Sequence, residues 1–246
     1  MTIPFEPVIL DYKLNIHLIL EYLAFFLSYR YYVWLRKRSI DYIPSSKRLS
    51  IILGAAIGAF LGSRIIALLE NPVFTYDVSA IIAYLNSKTI MGGLFGGLLG
   101  VEIAKKIIGE KQSSGDLFVF PIILGIFIGR IGCFLSGINE FTYGKVTTFF
   151  LGMNLGDNLK RHPIALYELV FLVLLFLFLS KLKHTNLKNG LLFQYFMICY
   201  FGFRFFIEFL KPNVFFIFGL SSIQILCLIC LTYYYKTIFN LFKNAS

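Results

Sequence analysis

A few long apolar runs restrict this chain more than any other feature. Residues 163–180 read PIALYELVFLVLLFLFLS, with one charge in the whole stretch. About 20 such residues span a hydrocarbon core as helix. In lipid the backbone must satisfy its own N–H and C=O groups, so a run of this kind is helical. Several runs share the pattern. Of the 246 residues, 58% are hydrophobic and only 15% are charged, against about 25% charged in soluble domains. Mean hydropathy is +0.76. The expected fold is an all-α polytopic membrane protein. We read seven spans, at roughly 14–35, 51–69, 89–107, 116–137, 163–180, 190–209 and 214–235. Residues 1–246 are expected to form a single seven-helix transmembrane domain, because no polar stretch between the runs is long enough to build its own core.

The charge pattern sets an expected orientation. One set of loops carries Arg36, Lys37, Arg38, Lys47, Arg48, Lys105, Lys106, Lys111, Lys181, Lys183, Lys188, Lys236 and Lys243; the other carries Lys13, Lys88, Lys145, Lys160, Arg161 and Lys211. The richer set should be cytoplasmic. That places the N-terminus outside, the C-terminus in the cytoplasm, and residues 138–161 in an extracytoplasmic loop. The net charge of +10 then reflects topology and anionic headgroups rather than nucleic acid, which is not an expected partner. The first apolar run lacks a basic n-region and a small-residue cleavage site, so no cleavable signal peptide is read. Tyr29, Tyr31, Tyr32, Trp34 and Tyr233–Tyr235 fall at span ends, where aromatic belts form.

The four cysteines, Cys133, Cys199, Cys227 and Cys230, all lie in or at the ends of apolar runs. The CxxC spacing of Cys227 and Cys230 has no charged or histidine neighbour, and it reads as small apolar packing rather than as a metal or redox pair.

Four arginines fall within the spans: Arg30, Arg64, Arg130 and Arg204. Arg30 is close enough to a span end to snorkel. A charge at membrane depth costs about 2.5–3.5 kcal/mol or more, so the other three need a partner, water or a function. Arg204 and Glu208 are four residues apart and can bridge on one helix face. Arginine is also the forked donor that matches phosphate. A cavity lined by Arg64, Arg130 and Arg204 would bind the phosphate of a lipid headgroup. Glycines recur at Gly54, Gly58 and Gly62, and again at Gly92, Gly93, Gly96, Gly97 and Gly100. Such spacing lets helices approach closely. The doublets at 92–93 and 96–97 could instead break the third span and offer backbone N–H groups to an anion.

These residues resemble the prolipoprotein diacylglyceryl transferase family. The resemblance runs in order through LGSRI at 61–65, GGLFGGLLG at 92–100, GRIGCFLSGINEFTYGK at 129–145, HPIALYE at 162–168 and YFGFRFFIEF at 200–209. It implies transfer of the diacylglyceryl group of phosphatidylglycerol, or a similar anionic phospholipid, to the lipobox cysteine of a prelipoprotein signal peptide. Glycerol phosphate is released, no cofactor or metal is required, and the setting is the bacterial cytoplasmic membrane. By the same resemblance Arg130 and Arg204 hold the phosphate, and Glu208 orients Arg204. Arg64 assists or braces the bundle. Glu140 and Gly144 shape the headgroup pocket, and Tyr22 and Tyr200 hydrogen-bond the lipid. Gly96, Gly97 and His162 complete the substrate-binding set, with His162 and Glu168 at motif positions of structural character.

The sequence departs from the family pattern on the side of the acceptor. The family's FHGG in the third span reads Leu94-Phe95-Gly96 here, without a histidine. The signature asparagines are Cys133 and Ser136, and the glutamine of HPxQLYE is Ala165. Two alternatives therefore stay open: the same fold and donor with another acceptor, or a lipid-binding protein that does no chemistry. Glu208, Glu140 and His162 are the candidates for replacing the missing base.

Overall fold

The structure is a computed structural model and describes residues 3–9, 11–39, 41–72, 78, 87–185, 187–213 and 217–245. It is mostly helical. The helices are α1 (Ile16–Arg38), α2 (Ser45–Glu70), α3 (Ile90–Ile107), α4 (Val119–Ser136), α5 (Ile164–Lys183), α6 (Leu191–Ile207), α7 (Ser222–Tyr233) and α8 (Tyr235–Ala245). Local chemistry starts several of them. The Asn15 side chain accepts from the Leu18 amide, and Thr89 accepts from Gly92. Ser221 and Gln224 form a reciprocal capping box at the start of α7. Each satisfies amides that a helix start leaves without an intrahelical partner.

Among the described residues, four segments are long and apolar enough to cross a membrane: Ser45–Glu70, Asp116–Asn139, Ile164–Lys183 and Leu191–Leu210. Ser222–Tyr233 and Tyr235–Leu241, bent by 67° at their junction, make a fifth if counted together. α1 and α3 match two further sequence-predicted spans in position, but both are more polar. α1 contains Glu21 and Arg30 and ends in Arg36, Lys37 and Arg38, and α3 contains Glu102, Lys105 and Lys106.

Contacts group into two compact units. The first comprises Met1–Ile40, Gly115–Phe196 and Phe209–Pro212; the second comprises Asp41–Ser114, Met197–Glu208 and Asn213–Ser246.

In the first unit α4 packs against both α1 and α5. Gly132 permits the α1 approach, since a Cβ there would stand 3.3 Å from the Cα of His17. Stacked rings of Tyr32 and Phe118, 4.5 Å apart, close the other end. Asp116 accepts from the amides of Gly190 and Phe193, at 2.6 and 2.9 Å, and so caps the start of α6. The segment after α4 is an ordered polar structure. β1 (Met153–Asn154) pairs antiparallel with β2 (Lys160–Arg161). The Gly144 amide donates to His162, and the Lys145 amide donates to Leu210. Arg161 bridges Asp157 at 2.6 Å and donates to the Gly144 carbonyl. Desolvation opposes ionisation of Asp157, yet the Arg161 bond, the Leu159 amide and the Arg161 charge hold its carboxyl below the usual carboxylate range.

In the second unit α2 and α3 pack along a seam of glycines. A Cβ on Gly54 would fall 2.7 Å from the Gly100 carbonyl oxygen. One on Gly58 would fall 2.2 Å from that of Gly96, and one on Gly62 would fall 2.4 Å from that of Gly92. Backbones this close gain dispersion contacts that lipid cannot replace. α3 is continuous from Ile90 to Ile107, which corrects the idea of a helix broken at the glycine doublets. The amides at 96 and 97 belong to an unbroken helix, and Gly96 is accounted for by packing.

Arg48 also departs from its sequence reading as a loop cation facing headgroups. It is 2% exposed, ion-paired with Asp41 and bonded to the Ser114 carbonyl at 3.1 Å. Cys227 and Cys230 are fully buried on α7 with free thiols, in keeping with a packing role.

Candidate active site

The polar centre of the first unit is built around Arg130, nearly two turns before the end of α4 and 6% exposed. Its Nε lies 2.9 Å from Oε1 of Glu168, which is fully buried on α5. The pair ties two helices together and neutralises a charge that would otherwise be stranded in an apolar interior. Arg130 Nη1 also donates to Cys133 Sγ at 3.6 Å.

Cys133 Sγ in turn lies 3.5 Å from Nε2 of His17, in the first turn of α1. The other ring nitrogen, Nδ1, lies 3.2 Å from Oε1 of Glu140. A carboxylate on Nδ1 assigns the imidazole proton to that nitrogen and leaves Nε2 as the basic atom facing the sulfur. Glu140, His17, Cys133, Arg130 and Glu168 thus form one chain of polar contacts through the unit. It runs from a half-exposed carboxylate to a fully buried one. Cys133 also lines a small recess with Phe134, Gly137, Tyr143, Leu155 and Pro163.

The remaining sequence-predicted residues of this unit lie around that chain. Gly144 packs on His162, whose Cβ would be 2.5 Å from any Cβ added at 144. His162 Nδ1 contacts the Tyr167 hydroxyl at 3.2 Å, and its ring also neighbours Phe149. Its side-chain contacts are therefore with Tyr167 and Phe149 rather than with the arginine. Tyr22 on α1 is 68% exposed.

In the second unit Arg204 and Glu208 form the ion pair that their spacing predicts, at 2.8 Å, with Glu208 fully buried. Asn213 donates to the Glu208 carboxylate at 3.3 Å and to its backbone carbonyl at 3.4 Å. The Gln224 side chain donates to the Phe205 carbonyl at 3.2 Å and secures the end of α6. Tyr200 is fully buried on the same helix. Arg64 on α2 donates to the Ser87 carbonyl and stands over the Phe60 ring, 5.4 Å from its centroid. Gly96 and Gly97 both lie on α3. Gly96 is in the seam, while a Cβ on Gly97 would meet only ordinary contacts at 3.5 Å.

Of the residues in this polar chain, Glu168 and His17 show how far the sequence reading reaches. Glu168 stands at a motif position taken as structural, and it proves to be the carboxylate of Arg130. His17 gives no signal beyond a histidine in the first turn of a mostly apolar run. Its partners lie more than a hundred residues away in sequence.

Comparison with known proteins agrees with the motif reading. Residues 7–239 match the family model described as prolipoprotein diacylglyceryl transferase. Similar proteins include the phosphatidylglycerol–prolipoprotein diacylglyceryl transferase of Nitratidesulfovibrio vulgaris (strain DP4). It is 35% identical over 199 residues, covering 73% of this chain and 69% of the relative. The protein of the same name from Ehrlichia ruminantium (strain Welgevonden) is 37% identical over 191 residues, 70% of each chain. That of Ehrlichia canis (strain Jake) is 33% identical over 190 residues, covering 72% of this chain and 69% of the relative. With the match running through nearly the whole sequence, the chain belongs to the prolipoprotein diacylglyceryl transferase family.

Proposed function

We propose that this protein is a membrane transferase that moves the diacylglyceryl group of phosphatidylglycerol to the cysteine thiol of a prolipoprotein. The thiolate sulfur forms a bond to the terminal glyceryl carbon of the lipid. The bond from that carbon to the phosphate oxygen breaks, and glycerol phosphate leaves with the electron pair. The observation that carries this reading is Arg130, buried near the end of an apolar helix, braced by Glu168 and set beside a sulfur and an imidazole. A forked cation fixed in that way can hold a phosphate diester and stabilise the charge that develops as it departs.

Arg204 serves the same purpose, with Glu208 as its orienting carboxylate. Glu140 and Gly144 shape the polar mouth. Arg64, Tyr22, Tyr200, His162 and Gly97 complete the lipid-binding surroundings. The acceptor cysteine arrives in the lipobox of a signal peptide.

The setting is the bacterial cytoplasmic membrane, crossed seven times, with the N-terminus outside and the basic loops in the cytoplasm.

The test is a transfer assay with purified protein, acyl-labelled phosphatidylglycerol and a lipobox peptide bearing one cysteine. The expected result is labelled peptide and an equal amount of glycerol phosphate from the wild type, and neither from Arg130→Ala. Consumption of phosphatidylglycerol without peptide labelling would move the proposal to another acceptor. No consumption would leave a lipid-binding protein.

A further inference from the structure

We infer that His17 is the general base that takes the proton of the acceptor thiol, and that Glu140 is its positioning residue. The inference rests on the transfer reading above and concerns which group of that same site activates the nucleophile.

Thiolate, not thiol, attacks carbon, so the reaction needs a proton acceptor near the cation that holds the phosphate. The chain has three histidines, at 17, 162 and 184. His162 is engaged with Tyr167, and His184 is an exposed residue just past α5. His17 reaches the same sulfur that Arg130 reaches, at 3.5 and 3.6 Å. Its side chain is 15% exposed, and that of Glu140 is 36% exposed, so the pair borders the accessible side of the site. The carboxylate on Nδ1 fixes the tautomer and the ring plane, as a base in a nucleophile–base–carboxylate arrangement requires.

Cys133 could be taken for the nucleophile of such an arrangement. The chemistry excludes it. A diacylglyceryl group on Cys133 would be a thioether, and its transfer to a second thiol would require an alkyl thiolate to leave an unactivated carbon. Cys133 instead marks where a sulfur can sit between imidazole and guanidinium. In the step proposed here Cys133 changes rotamer and releases Nε2. The acceptor thiol gives its proton to Nε2, its sulfur bonds to the glyceryl carbon, and the carbon–oxygen bond breaks. The proton then passes to the departing glycerol phosphate or to water.

The experiment compares two acceptor peptides, identical except for cysteine or selenocysteine in the lipobox. A selenol is already ionised at neutral pH and has no need of a base. Wild-type protein is expected to label both. His17→Gln should lose about 10²–10⁴-fold in kcat/KM on the cysteine peptide, while staying within about tenfold of wild type on the selenocysteine peptide. Glu140→Gln should show a smaller loss with the same rescue. Complete loss of transfer to both peptides in a folded Cys133→Ala would favour a participating thiol and overturn the inference. His17→Gln as active as wild type on the cysteine peptide would also overturn it. So would a folded His17→Gln that is silent on both peptides, because the histidine would then be bracing the site. His17→Asn gives the same reading if the glutamine variant melts early. If wild type labels neither peptide, the transfer proposal itself falls and this inference goes with it.

Discussion

The two units bury an arginine in different ways. In the first, Arg130 is held by a glutamate from another helix, so the ion pair exists only when α4 and α5 are packed. In the second, Arg204 is held by a glutamate four residues along its own chain, so helix geometry alone brings the pair together. The helix contacts follow the same division. The first unit places a charged contact between α4 and α5, whereas the second joins α2 to α3 through glycines with no side chain between the backbones. One arginine therefore depends on tertiary packing, and the other is set before packing begins. If both meet phosphate, as proposed, they should fail alike in activity and differently in stability.

The largest expected effect tests the likeness. Arg130→Lys and Arg204→Lys each keep the positive charge and lose the fork. Each should lower kcat/KM by about 10²–10³-fold, the usual loss for one preorganised donor at a developing charge, and leave the melting temperature nearly unchanged. If Arg204→Lys transfers as well as wild type, the parity between the arginines is broken, and Arg204 is a brace for α6.

The next effect tests the difference. Removing one partner of a buried ion pair costs about 3–5 kcal/mol, because the other charge is stranded. That figure should apply to Glu168→Ala, whose pair is absent when the helices separate. Transmembrane helices keep their internal contacts in the membrane-embedded unfolded state, so much of the loss at Glu208 is shared by both states. Glu208→Ala should cost about 1 kcal/mol, nearer to typical polar contacts in membranes. Reversible unfolding in mixed micelles reads both. Equal losses would show that Arg204–Glu208 is a tertiary contact in effect, whatever its spacing.

The same contrast explains what the sequence could disclose. The helices follow from apolar runs, and the Arg204–Glu208 bridge follows from an interval of four, because both are local. The glycine repeat disclosed a close approach without naming its partner. Glu168 was legible as a motif residue but its partner Arg130 was not, and His17 carried no local signal: its partners, Cys133 and Glu140, are brought to it by packing. The polar segment after α4 was legible as a loop, while the β1–β2 pairing and the Arg161 contacts that order it were not. The glycine doublets were ambiguous because one pattern suits both a seam and a break, and only the continuity of α3 decides.

The smallest effect lies inside the second unit and separates packing from binding. A methyl at Gly96 would stand 2.3 Å from the Gly58 carbonyl oxygen, and one at Gly97 would stand 3.5 Å from its nearest neighbours. Gly96→Ala should force α2 and α3 apart at a cost of about 1–3 kcal/mol, the range for overpacking a close contact. Gly97→Ala has room and removes a flexible residue from a helix interior, so it should gain about 0.5–1 kcal/mol. The two melting temperatures should therefore move in opposite directions. If Gly97→Ala melts as expected yet transfers poorly, the added methyl is obstructing lipid. The second glycine of the doublet would then belong to the binding surface, while the first belongs to the seam.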